Sequence, residues 1–158
     1  GTPVRISNDL AYVTDFHYGL RILDVADPAN PMEVGSVAIE GIVQDLYLAG
    51  EYAYVAGDVD GLRIVDISNP AQPEWVQTFE PPRNARAIFA RDSLLYIADA
   101  FQGFRIMDIS NPVFPREVGL YAIPFSNLRS IDLEGNIACL SCGYEYSEAG
   151  GASPEGVS

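Results

Sequence analysis

The segment Gly-Leu-Arg-Ile-Leu-Asp at Gly19 to Asp24 returns as Gly-Leu-Arg-Ile-Val-Asp at Gly61 to Asp66, and again as Gly-Phe-Arg-Ile-Met-Asp at Gly103 to Asp108. The copies lie 42 residues apart both times. A fixed period in this range means one supersecondary unit repeated and stacked, because a single unit cannot bury its own apolar face. Such scaffolds serve many activities, so function has to be sought in what does not repeat.

The similarity extends beyond the motif. Tyr54-Val55-Ala56 precedes Gly61, and Ile67-Ser68-Asn69-Pro70 with Pro73 follows Asp66. The same slots hold Tyr12-Val13-Thr14, Val25-Ala26-Asp27-Pro28 and Pro31 in the first copy. In the third they hold Tyr96-Ile97-Ala98, Ile109-Ser110-Asn111-Pro112 and Pro115. A fourth copy begins at Gly135-Asn136-Ile137-Ala138-Cys139, which mirrors Gly50 to Tyr54 at a spacing of 85, and no Arg-Ile motif follows it. Residues 144–158 are rich in Gly, Ser, Ala and Glu and read as a flexible tail.

Within one period the apolar runs are short, rich in Val, Ile, Leu and Tyr, and bounded by Gly, Asn, Asp, Ser and Pro, which marks strands. In the third copy, strand A is expected over Ala85 to Arg91 and B over Leu94 to Asp99. Strand C is expected from Gly103 to Ile109, and D from Arg116 to Ile123. Asn8-Asp9, Gly50-Glu51, Asp92-Ser93 and Gly135-Asn136 suit tight A–B hairpins, where positive φ is needed. Pro73 and Pro115 open strand D, and proline lacks a ladder donor, so D belongs at a sheet edge. Strand C is apolar on both faces, with Leu62 and Ile64 on one side and Val65 and Ile67 on the other. A sheet that needs cover on both faces fits stacked blades. The expected fold is therefore all-β, a β-propeller arc of four-stranded antiparallel blades. A β-sandwich is the competing architecture, but it rarely keeps a strict period.

The run Gly61-Leu62-Arg63-Ile64-Val65-Asp66-Ile67-Ser68-Asn69-Pro70, followed by Pro73, resembles the LVIVD repeat. The resemblance covers about residues 4 to 142. It implies propeller blades, a bacterial or archaeal cell-surface or secreted location, and a binding or structural role. It transfers no catalytic residue, because the repeat motif contains none.

At 158 residues one domain is expected, with about three and a half repeats over residues 1–143. A partial first blade would start at residue 4. Blade 2 would span about 43–80, blade 3 about 85–123, and a partial blade 4 about 128–142. Closed propellers usually have about four to eight blades, so the segment reads as part of a larger propeller. Apolar residues at its two ends, Ile22, Val25 and Ile137 among them, are then expected to lack cover. Self-association through open blade edges follows.

The net charge is −13, with nine arginines and no lysine. That balance opposes nucleic-acid binding and adsorption to anionic lipid. No apolar run is long enough to span a membrane. Cys139 and Cys142 lack the second Cys or His pair that a zinc site needs. Cys139 occupies the slot of Tyr12, Tyr54 and Tyr96, which predicts a buried structural thiol.

Arg21, Arg63 and Arg105 recur once per copy, as do Asp24, Asp66 and Asp108. Recurrence in every copy marks structure, since one site needs its residues once. The aspartates are expected to accept backbone hydrogens at the C–D turn, and the arginines to bond across to a neighbouring blade. The loops that differ are more informative. With strand A innermost, the B–C and D–A connections share one rim. The candidate ligand contacts there are Asp15, His17, Tyr18, Asp58, Asp60, Arg83, Phe101, Gln102 and Phe125. Asp58-x-Asp60 could contribute hard oxygen ligands to Ca²⁺, though the rest of an EF-hand loop is lacking; no other cofactor is expected. The expected function is a non-catalytic surface or secreted segment that binds protein or glycan through this rim. The alternatives are part of a propeller hydrolase or lyase with rim carboxylates, or a structural spacer.

Overall fold

The computed structural model describes residues 3–15, 19–57, 61–80, 82, 84–123 and 127–143. Three four-stranded antiparallel sheets and one two-stranded sheet follow in chain order. The first blade comprises β1 (Val4–Ser7), β2 (Leu10–Asp15), β3 (Gly19–Asp24) and β4 (Met32–Val37). The second comprises β5 (Val43–Ala49), β6 (Tyr52–Gly57), β7 (Leu62–Asp66) and β8 (Glu74–Phe79). The third comprises β9 (Ala85–Arg91), β10 (Leu94–Asp99), β11 (Gly103–Asp108) and β12 (Arg116–Ala122). The fourth sheet pairs β13 (Leu128–Glu134) with β14 (Ile137–Cys142). The described residues contain no helix, so none is present that could cross a membrane. Blade 1 is a full four-stranded sheet rather than a partial one, with its first strand shortened to four residues.

Local chemistry accounts for the hairpins. Asn8, Gly50, Asp92 and Gly135 hold φ between 55° and 60° at the four A–B turns, where Asn, Asp and Gly tolerate the left-handed region. Asp24, Asp66 and Asp108 each accept a hydrogen bond from the amide two residues on, at Ala26, Ser68 and Ser110, at 2.8–2.9 Å. The expected turn role is therefore present in all three copies. Strand C stops one residue short of Ile109, because the Ile109 amide donates instead to the Ser93 carbonyl of the A–B turn. The D strands, β4, β8 and β12, lie at sheet edges, as the prolines require.

The blades stack face to face. Val65 and Ile67 join Leu46, Ala53 and Val55 against Tyr12, Leu20, Ile22 and Ile39 of blade 1. Leu62 and Ile64 join Tyr54 and Ala56 against Ile88, Leu95, Ile97, Met107 and Ile109 of blade 3. Blade 3 in turn uses Ala87, Tyr96, Ala98 and Phe104 against Leu128, Ile131, Leu133 and Leu140 of the fourth sheet. This is the two-sided burial that the composition of strand C implied.

Ile22 is fully buried rather than exposed. It lies opposite Tyr12 and Gly35, on the face turned to blade 2. Val25 is half-buried, and Ile137 is exposed as expected. Cys139 is exposed, which overturns its reading as a buried thiol. Its slot is buried in blades 2 and 3 because another sheet packs over it, and no described sheet follows β14.

Polar contacts stitch the inner strands together. Asp45 on β5 takes Arg5 Nη2 of blade 1 at 2.8 Å on one oxygen and the Ile88 amide of blade 3 at 3.0 Å on the other. Tyr47 donates its hydroxyl to the Ala90 carbonyl at 2.7 Å. Asp45→Ala is expected to cost about 1–3 kcal/mol, because a half-buried amide and a guanidinium lose their acceptor. Equilibrium urea unfolding measures this. A change below about 0.3 kcal/mol, within the noise of surface substitutions, would mean that the bridge is idle.

The turn aspartates make a pH prediction. The Ser68 hydroxyl and amide hold the Asp66 carboxyl below its usual range, and the Ser110 amide and hydroxyl do the same for Asp108. A lowered folded value means that the stabilisation is complete above the unfolded carboxylate pKa of about 3.9 and is lost as pH falls through the folded value. An Asp66→Asn, Asp108→Asn variant should melt below the parent at pH 6 and converge with it near pH 2. A gap that persists unchanged at pH 2 would exclude the carboxylate charge as its source.

Candidate functional site

The ends of strands B and D and the starts of A and C gather at one rim. The Ala100 amide, just past β10, donates to the Asn84 carbonyl, just before β9, at 2.9 Å, and Gly143 does the same to Asn127 in the fourth sheet at 2.8 Å. The B–C and D–A connections therefore lie side by side, as the sequence led one to expect. His17, Tyr18, Asp58, Asp60, Arg83 and Phe125 lie outside the described residues, and with them the Asp58-x-Asp60 calcium reading. Among the described residues no cluster of three or more His, Cys, Asp or Glu is placed to hold a metal.

Blade 3 shows what the recurring arginine does. Asp99, fully buried at the end of β10, accepts the Phe101 and Gln102 amides on Oδ1 at 3.1 and 3.2 Å. Its Oδ2 takes Arg105 Nε at 3.0 Å. The remaining Arg105 nitrogens reach Glu117 Oε2 and Gln102 Oε1. The Arg105 guanidinium is thus clamped inside its own blade, where a bond to the neighbouring blade was expected. The clamp works because β10, β11 and β12 bring residues 99, 105 and 117 together across adjacent strands. Gln102, a candidate ligand contact, presents its carbonyl oxygen to Arg105. Phe101 beside it is 72% exposed and borders a cleft of about 260 Å³ with Leu120, Ala122 and Ile123.

Blade 1 repeats the clamp in a looser form. Arg21 Nε donates to Glu33 Oε2 at 2.7 Å, and both side chains are about two-fifths to one-third exposed. Asp15 holds the slot of Asp99 at the end of β2.

Blade 2 departs from this pattern. The slots of Asp99 and Glu117 hold Gly57 and Trp75. Arg63 keeps its place and is buried. Around it is a cleft of about 400 Å³ lined by Ala38, Ile39 and Glu40 from the D–A connection of blade 1, and by Arg63, Trp75 and Thr78 of blade 2. Trp75 is 56% exposed. Reading the motif as structural in all copies hid this cleft. The available signal was the loss of both acidic slots in one copy only.

Burial pushes the Tyr54 phenol up to about 12, with Tyr52 adding to the shift, and raises Tyr12 in the same direction. These tyrosines stay neutral and serve packing.

A search of curated proteins returned no match. Among solved structures, the computationally designed Ika4 protein matches with a TM-score of 0.68 at 10% identity, covering 90% of this chain and 85% of that one. The computationally designed Ika8 protein matches with a TM-score of 0.67 at 10% identity, covering 89% of this chain and 42% of that one. The N-terminal domain of Nup159 matches with a TM-score of 0.56 at 15% identity, covering 82% of this chain and 35% of that one. The chain thus spans most of the first and less than half of the other two, and at these identities the likeness concerns the fold. The LVIVD repeat pattern matches three times, at residues 2–39, 40–80 and 82–123. These matches span most of the chain and coincide with the three four-stranded sheets, and the chain belongs to the LVIVD repeat family.

Proposed function

We propose that this β-propeller segment is a non-catalytic binding module of a surface or secreted protein, and that it contacts protein or glycan through the rim where the B–C and D–A connections meet. One observation supports the reading above the others. Arg21 and Arg105 and the three turn aspartates are engaged within their own blades, whereas the described ends of the B–C and D–A connections, whose sequences differ between copies, meet at one rim, with Phe101 open to solvent. A rigid scaffold that presents variable loops is a common arrangement for recognition. The acidic composition agrees with a role away from nucleic acid and anionic lipid.

Binding of the labelled chain to arrayed glycans and to immobilised cell-envelope proteins tests this. Retention is expected on a subset of these surfaces. It should be lost in a His17→Ala, Phe101→Ala, Phe125→Ala variant and kept in a Glu51→Gln, Asn136→Ala variant of the opposite rim. Equal retention by both variants would remove the rim from the reading. Turnover of chromogenic esters or glycosides that disappears with Asp15→Asn, Asp58→Asn and Asp60→Asn would replace it with an enzyme.

A further inference from the structure

We propose that the cleft between Arg63 and Trp75, at the seam of blades 1 and 2 beside the D–A connection of blade 1, is a binding site for a neutral sugar ring, which narrows the binding reading above to one ligand class and rests on it. Three observations carry it. First, the cleft is specific to one copy. The Trp75 slot holds Glu33 and Glu117 in the other blades, where each carboxylate pairs with the arginine of strand C. A blade does not need an indole at that position, and here more than half of it is left in water. Second, its size suits a small ligand. About 400 Å³ falls in the range of small-molecule sites of roughly 300–1,000 Å³.

Third, its chemistry is that of a polyol. Trp75 offers a flat apolar surface, on which the C–H face of a pyranose can lie. Arg63, with only 8% of its surface exposed, supplies rigid planar donors in the cleft wall. Glu40 supplies an acceptor and Thr78 a hydroxyl that serves as both. Neighbouring ring hydroxyls each donate and accept, so a guanidinium and a carboxylate in one cleft answer them together. Charge argues for a neutral ring over an acidic one. Glu40 lines the cleft, and the chain carries −13 overall.

Trp75 is the single tryptophan of the chain, so its emission reports on this cleft alone. The whole chain is titrated with the methyl β-glycosides of glucose, galactose and N-acetylglucosamine and with methyl α-mannoside, up to about 100 mM, with sodium glucuronate as the charged comparison. At least one neutral glycoside is expected to give a saturable blue shift with a Kd of about 1–10 mM, as suits one ring with few buried atoms. Glucuronate should bind no tighter. Glu40→Gln and Thr78→Val, both at the cleft surface, should each weaken binding about tenfold with an unchanged melting temperature. Arg63→Met should abolish it, and if that variant unfolds, the other two decide. A linear response to every glycoside overturns the proposal, as does a saturable shift indifferent to Glu40→Gln and Thr78→Val. Tighter, salt-sensitive binding of glucuronate overturns the neutral ring in favour of an anion. Glycan retention through the rim loops with a silent Trp75 removes this site and leaves the rim. A Trp75 shift with retention indifferent to the rim loops does the reverse.

Discussion

Asp99→Ala is expected to destabilise the chain by about 3 kcal/mol or more, the largest effect of any single polar substitution here. Asp99 is fully buried, and Arg105 is only 2% exposed. Removing the carboxylate leaves a buried guanidinium short of charge and two amides, of Phe101 and Gln102, without their acceptor. Glu117 and Gln102 remain on Arg105 and limit the loss. Asp99→Asn keeps an oxygen for the amides and removes the charge, so it should fall between parent and alanine variant. Glu33→Gln probes the same arginine slot in blade 1, where both partners are solvated, and should cost under about 1 kcal/mol. Urea unfolding of the three variants at pH 7 separates these cases. Equal costs for Asp99→Ala and Glu33→Gln would mean that burial does not set the strength of the clamp. With domain stabilities of roughly 5–15 kcal/mol, the alanine variant should also open blade 3 first, which hydrogen exchange at β10 and β11 would show.

What the sequence told and what it withheld follow the physics of repetition. The period, the alternation along β7 and the turn residues at Asn8, Gly50, Asp92 and Gly135 are local, and each was realised where local chemistry put it. The roles of Leu62 and Ile64 against Val65 and Ile67 could be read because period-2 alternation assigns faces without knowledge of partners. Which face meets which neighbour is a tertiary fact. Ile22 was therefore placed on the wrong side, and Cys139 was given the burial of a slot whose cover depends on a further sheet. The arginine clamp was missed for a related reason. Residues 99, 105 and 117 come together through cross-strand register, and a β-bulge between Ile106 and Met107 shifts that register by one. Recurrence pointed to a shared role for Arg21 and Arg105, and each pairs with a carboxylate of its own blade. It also concealed blade 2, where the same arginine sits among different neighbours. Asp45 escaped notice because it belongs to no recurring motif, yet it contacts both flanking blades.

Leu46→Ala should cost about 2–5 kcal/mol, whereas Val4→Ala, in the same slot one repeat earlier, should cost under about 1 kcal/mol. Leu46 is fully buried against Tyr12, Leu20 and Ile22 of blade 1, and Val4 is 47% exposed. The contrast extends over the face. Leu46, Ala53, Val55, Val65 and Ile67 of blade 2 are all buried, and so are Ile88, Ala90, Leu95, Ile97, Met107 and Ile109 of blade 3. In blade 1, by contrast, Ile6 stands 69% exposed, and Val13, Leu23 and Val25 are half-buried. The two substitutions therefore measure how much of a blade's stability comes from the blade stacked on it, with chain chemistry held nearly constant. Because contiguous apolar surface of this kind promotes contact between copies, the Val4 effect should be read at both dilute and micromolar concentration. A cost that grows with concentration would show that a second copy covers the face. A Val4→Ala cost equal to that of Leu46→Ala in a dilute monomer would show that the chain covers this face itself, and the open arc would have to be abandoned.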